Sequence, residues 1–169
     1  MSDASLYDHD ILLWSEQQAE LIRKLGQSRR DLPNDFDVEN VAEEIESVGR
    51  SEMASVESFL RLMLLHLIKI ASVPGSPASS HWNDEVRNFR ADALIRFAPS
   101  MAQRLDIGRA WRLACEQAMF NLARHDDPII SLPEECSFSV EELVREPLGI
   151  ESLLARLERG TNADDADRR

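Results

Sequence analysis

Cysteine is scarce in this chain: Cys115 and Cys136 are the only two in 169 residues, and neither sits in a Cys-x-x-Cys pair. That excludes a zinc framework of the usual spacing and argues against a disulfide scaffold, leaving two reduced thiols of a cytoplasmic protein. Long apolar runs are also lacking. The longest, "LMLLHLIKIA", is interrupted and falls short of the roughly 20 apolar residues of a membrane span. The opening "MSDASLYDHDILLW" has no basic segment leading into an apolar one, so no signal peptide is expected. Basic charge is in deficit, with 19 Lys and Arg against 31 Asp and Glu and a net charge of −12. Direct nucleic-acid binding is opposed by that balance. The densest basic stretch, "RKLGQSRR", runs straight into acids. Glycine-rich phosphate loops, dinucleotide fingerprints and Ser/His/Asp orders are missing too, which removes the commonest catalytic signatures.

What is present is helical periodicity without strand-like alternation. "LYDHDILLWSEQQAELIRKLG" predicts a first helix, capped by Ser5 or Asp8 and stopped by Gly26. From Asp37, a good N-cap, no proline occurs until Pro74, which permits one helix about 54 Å long. Its apolar positions recur near every 3.5 residues, as in the seam of a bundle. Gly49 marks either a close helix crossing or a kink. "VPGSPASS" breaks the chain, and a third helix is predicted from Trp82 to Ala98. Helix resumes from Ser100 to about His125 with a break near Gly108. "SVEE" then offers Ser139 as N-cap with Glu142 as its reciprocal partner, opening two short helices split by Pro147–Gly149. The fold class is all-α: a helical bundle organised around one long central helix, with short C-terminal helices. Length and pattern predict a single domain over 1–160 and a disordered polar tail over 161–169.

The order of "LYDHDILLWSEQQAELIR", "DVENVAEEIESVGRSE", "LLHLIK" and "LPEECSFSVEELV" resembles the bacterial family called domain of unknown function twenty-nine (DUF29). The likeness runs from about Tyr7 to about Val144. The family pattern falls on Tyr7, Asp8, Asp10, Trp14, Glu43, Glu44, Ile45, Glu46, Gly49, His66, Leu67 and Lys69, with Val41 and Ser137 departing from it. The resemblance implies a helical bundle in a bacterial cytoplasm. It implies no activity.

Candidate chemistry concentrates at Tyr7, Asp10, Trp14, Glu46, His66 and Lys69. Centring the buried face of the long helix on Ile45 puts Glu43 at about 160°, on the solvated side. Glu44 and Glu46 then flank the apolar stripe at about −100° and +100°. Small neighbours, Ala42 and Gly49, lie on the Glu46 side, so a second helix can approach there. A carboxylate pair for acid–base chemistry would need completion from another helix. His66 falls inside the apolar stripe and calls for a hydrogen-bond partner. None of the four histidines has a Glu three residues before it, so the di-metal bundle motif is absent. A metal would have to gather His66, Glu46, Asp10 and His81 one by one, and no metal or cofactor is expected. Cys115, on an apolar face, and Cys136, beside two acids, make poor nucleophiles.

Two readings follow. The first is a non-enzymatic protein–protein interaction module, a homo-oligomer or a binder of a basic partner, acting without nucleic acid or membrane. The alternative is a metal- or small-ligand-binding enzyme whose pocket joins Asp10, Glu46 and His66 between helices.

Overall fold

The computed structural model describes residues 3–29, 31–144 and 149–166, with side chains over 6–29, 31–144 and 149–158. Helix α1 (Asp3–His9) and helix α2 (Ile11–Ser28) are separate elements. Asp10 divides them: its carboxylate accepts from the Leu13 amide at 3.0 Å and so caps α2. The single helix expected here, capped at Ser5 or Asp8 and ending at Gly26, is corrected on both counts. Helix α2 runs through Gly26 to Ser28, and a Cβ at Gly26 would come within 2.6 Å of Val38 Cγ1. Glycine there makes room for the start of the next helix rather than ending its own.

That next helix, α3 (Val38–Ser72), is the long element the sequence predicts, at 35 residues. Asp37 caps it, its Oδ1 accepting from the Asn40 amide at 3.1 Å. After it come α4 (Ser79–Arg96), a 3-10 turn (Pro99–Met101), α5 (Ile107–Ala123), α6 (Val140–Val144) and α7 (Ile150–Ala166). No strand occurs among the described residues, and the protein is all-α. By its packing the chain divides into two units. One comprises Met1–Ser55 with Arg96–Leu105, and the other comprises Val56–Ile95 with Asp106–Arg169. The division falls within α3.

In the first unit, α2 presents Leu12, Ser15 and Ala19, all buried, to a face of α3 built on Ala42 and Gly49. A Cβ at Gly49 would lie 2.8 Å from the Leu12 Cα, so the crossing is a backbone-to-backbone approach that only glycine permits. This is the crossing expected on the Glu46 side. The centre of the buried face is displaced from Ile45, however: Ile45 is half-buried and Val48 is 45% exposed.

In the second unit α3 is buried nearly all round. Val56, Leu60, Met63, Leu64, Leu67 and Ile68 are each at most 1% exposed. Burying each such leucine contributes on the order of 1.5–3 kcal/mol. Trp82, Val86 and Ala93 of α4 and Ala110, Trp111, Ala114 and Leu122 of α5 complete this core. Asp106 caps α5, accepting from the Arg109 amide at 2.8 Å. The break before α5 therefore lies ahead of Asp106, and Gly108 is helical. Ser139 and Glu142 form the expected reciprocal cap of α6, at 3.2 and 2.9 Å. The buried Arg90 closes the other end of α6 through the carbonyls of Leu143 and Val144, at 3.1 and 3.0 Å. Part of the expected helix break, residues 145–148, lies outside the described residues. Helix α7 is longer than expected, at 17 residues. The tail read as 161–169 falls partly on its last turns, up to Ala166, and partly on 167–169, which lie outside the described residues.

Candidate functional site

The six residues singled out in the sequence divide between the units. Tyr7, Asp10, Trp14 and Glu46 belong to the first, His66 and Lys69 to the second. Tyr7 meets Trp14 edge-on, with ring centroids 4.7 Å apart. Asp10 does more than cap α2. It also accepts from the Ser100 hydroxyl at 2.6 Å and the Ser100 amide at 2.9 Å. Burial would raise its pKa, but the Ser100 hydroxyl, the Leu13 and Ser100 amides and the Arg104 charge outweigh this and hold it below the usual carboxylate range. Glu46 accepts from Arg23 at 2.9 Å and stands 3.6 Å from Arg50. Arg23 also bonds Glu39 at 2.9 Å, and Glu43 pairs with Arg50. The acidic run of α3 is thus met by two arginines.

His66 stacks on Phe89 of α4 at 5.7 Å, and its Nδ1 is buried without a partner among the described residues. Burial, then the charges of Lys69 and His81, push its pKa down to about 4, so the ring is neutral at physiological pH. Lys69 lies over the Trp82 ring, its Nζ 4.4 Å from the centroid. Burial lowers its pKa, with the Asp127 charge acting the other way. Among the described residues no three His, Cys, Asp or Glu side chains gather closely enough to hold a metal ion. No helix of the described residues is long and apolar enough to cross a membrane.

Two further features lie in the second unit. The first is a groove of about 360 Å³ between α5 and the extended connector that follows it. Trp111 fixes the connector, donating from Nε1 to the Pro133 carbonyl at 3.0 Å, and Ser72 accepts from the Ile130 amide at 3.3 Å. Met119, Ile129, Leu132 and Pro133 line the groove with Glu116 and Glu134. Met119 is 47% and Ile129 41% exposed. Cys115 also lines it. Burial first, then nearby Cys136 and Glu116, push its thiol up to about 12, and burial raises Cys136 as well, so neither is an activated nucleophile.

The second feature is a cavity of about 250 Å³ lined by Lys69, Trp82, Asn121, Arg124, His125 and Asp127. Asp126, in the left-handed region at φ 55°, turns the chain back after α5, and the Asp127 amide returns to the Leu122 carbonyl at 3.1 Å. Of its lining residues the sequence had singled out Lys69 alone. The others come from α4, the end of α5 and the connector, and no local pattern joins them.

The fold therefore defines an all-α protein organised on one long helix. The chain belongs to the family described as domain of unknown function DUF29, whose model matches residues 6–147. The crystal structure of an α-helical protein of unknown function from Rhodospirillum rubrum superposes with a TM-score of 0.85 at 35% identity. The match covers 89% of this chain and 96% of that one. No curated protein matches.

Proposed function

We propose that this protein is a non-enzymatic interaction module that seats a basic amphipathic helix of a partner protein in the groove between α5 and the connector. The observation that carries this reading is the pair Met119 and Ile129, large apolar groups left open to water along one groove that Ile130, Leu132 and Pro133 also line. Methionine adapts to a helical ligand's apolar face, and such grooves are a recurring way of binding one. Glu116 and Glu134 face the same groove, with Arg112 as the opposing charge, and the whole chain carries −12. That charge attracts a basic partner and opposes a second copy of the same chain. The absorption of Asp10 by Ser100 and of Glu46 by Arg23 also favours an interaction role over acid–base catalysis.

Fluorescence anisotropy with a labelled helical peptide of leucines and lysines at amphipathic spacing tests the proposal. Met119→Lys is expected to weaken binding at least about tenfold, since it removes apolar contact and adds like charge. Ile95→Lys, at another exposed apolar position, makes the same charge change and should leave most of the affinity intact. Equal losses in the two variants would mean that net charge alone binds the peptide, and the groove would be excluded.

A further inference from the structure

The cavity at the ends of α3 and α5 has a local charge opposite to that of the chain. In a protein with 31 acids and 19 Lys and Arg, it gathers Lys69 and Arg124 against one acid, Asp127, with His125 beside them. Lys69 is one of only two lysines in the sequence. Elsewhere the cations are mostly matched: Arg23, Lys24, Arg29, Arg50, Arg104 and Arg156 all stand in ion pairs. Among the described residues neither Lys69 nor Arg124 does. Lys69 rests on the Trp82 ring and Arg124 over Phe120, at 5.9 Å from the ring centroid. Asp127 alone acts on Lys69 by its charge, and no carboxylate stands in contact with either cation among the described residues, so both can meet an anion that enters the cavity.

We infer that this cavity binds a small organic acid carrying a hydrogen-bond donor beside its carboxylate, an α-hydroxy or α-amino acid. Lys69 and Arg124 take the carboxylate, the arginine through its planar fork. Asp127 takes the donor. Its charge opposes a bare dianion such as phosphate and favours a ligand that brings a hydroxyl or ammonium to it. Trp82 supplies an apolar wall and Asn121 an amide that can both give and accept. A volume of about 250 Å³ suits a compound of a few carbons. The site is separate from the groove between α5 and the connector, and its fate does not depend on that reading. An anion here would also offset the burial that depresses the Lys69 ammonium.

The test is a titration of the full ¹⁵N-labelled chain, following the indole N–H of Trp82. L-lactate and L-serine are the probes, with propionate and inorganic phosphate as comparisons. Lactate or serine should give a saturable shift of that signal, with propionate and phosphate weaker by about tenfold, the worth of one charge-assisted hydrogen bond. Lys69→Met should weaken the shift by about tenfold or more, and so should Arg124→Gln at an exposed position that leaves the core untouched. If Lys69→Met fails to fold, Arg124→Gln decides. Three results overturn the inference: no saturable shift with lactate or serine, a shift that survives the substitutions, or propionate binding as well as lactate.

Discussion

The two halves of α3 share one heptad column and fill it in opposite ways. Positions 42, 49, 56, 63 and 70 are all buried. In the first unit they are Ala42 and Gly49, and in the second Val56, Met63 and Ile70. The first half is held by the close approach of α2 at Gly49, with Arg23 of α2 adding solvent-screened ion pairs to the glutamates beside the seam. The second is held by apolar burial, with Leu60, Leu64, Leu67 and Ile68 around the column. A regular seam therefore says where a helix packs but not what holds it. Small residues bring backbones together, whereas large ones bury area.

Substitutions can sharpen this contrast. The largest effect is expected at Leu64, fully buried in the second half. Leu64→Ala should cost about 2–5 kcal/mol in urea unfolding, through lost transfer energy and the cavity left behind. Gly49→Ala comes next. Alanine is the better helix former by about 1 kcal/mol, yet its methyl would meet the Leu12 backbone, so a net destabilisation of about 1–3 kcal/mol is expected. A stabilised Gly49→Ala variant would break the contrast, since it would mean the crossing is not tight.

Acid separates the halves in another way. His66 is held neutral in the second unit, with its pKa lowered from 6.5 to about 4. The unfolded chain takes up that proton first, so stability should fall as pH drops from about 6.5 to about 4, and His66→Leu should flatten this stretch of the curve. Asp10 in the first unit acts lower. Its folded pKa is below the ordinary 3.8, so its contribution is present above that value and fades as pH falls further. Asp10→Asn should remove that lower decline. The smallest effect is expected from Arg23→Ala, because its ion pairs with Glu39 and Glu46 are solvent-screened. The difference from the parent chain should shrink further at high salt.

Much of this was legible in the sequence because it is local. The absence of proline between Asp37 and Pro74, with Asp37 at the start, marks α3, and Ser139 with Glu142 marks α6. The seam of the first half was misplaced because alanine and glycine carry little hydropathy. A wheel weighted by Val41, Ile45 and Val48 turned away from the column that packs. The role of Asp10 was hidden because its partner Ser100 stands ninety residues on. Gly26 and Gly108 carry the same local signal as a break, but Gly26 makes room for Val38 and Gly108 stands in the first turn of α5. The cavity around Lys69 and Trp82 was out of reach for a related reason: α3, α4, the end of α5 and the connector supply it, and only folding brings them together.

Native-state hydrogen exchange along α3 tests most directly the claim that its halves are held by different means. Amides from Val56 to Ser72 should exchange only through global unfolding, whereas those from about Val41 to Gly49 should exchange through smaller openings at lower free energy. Uniform protection from end to end would contradict the account.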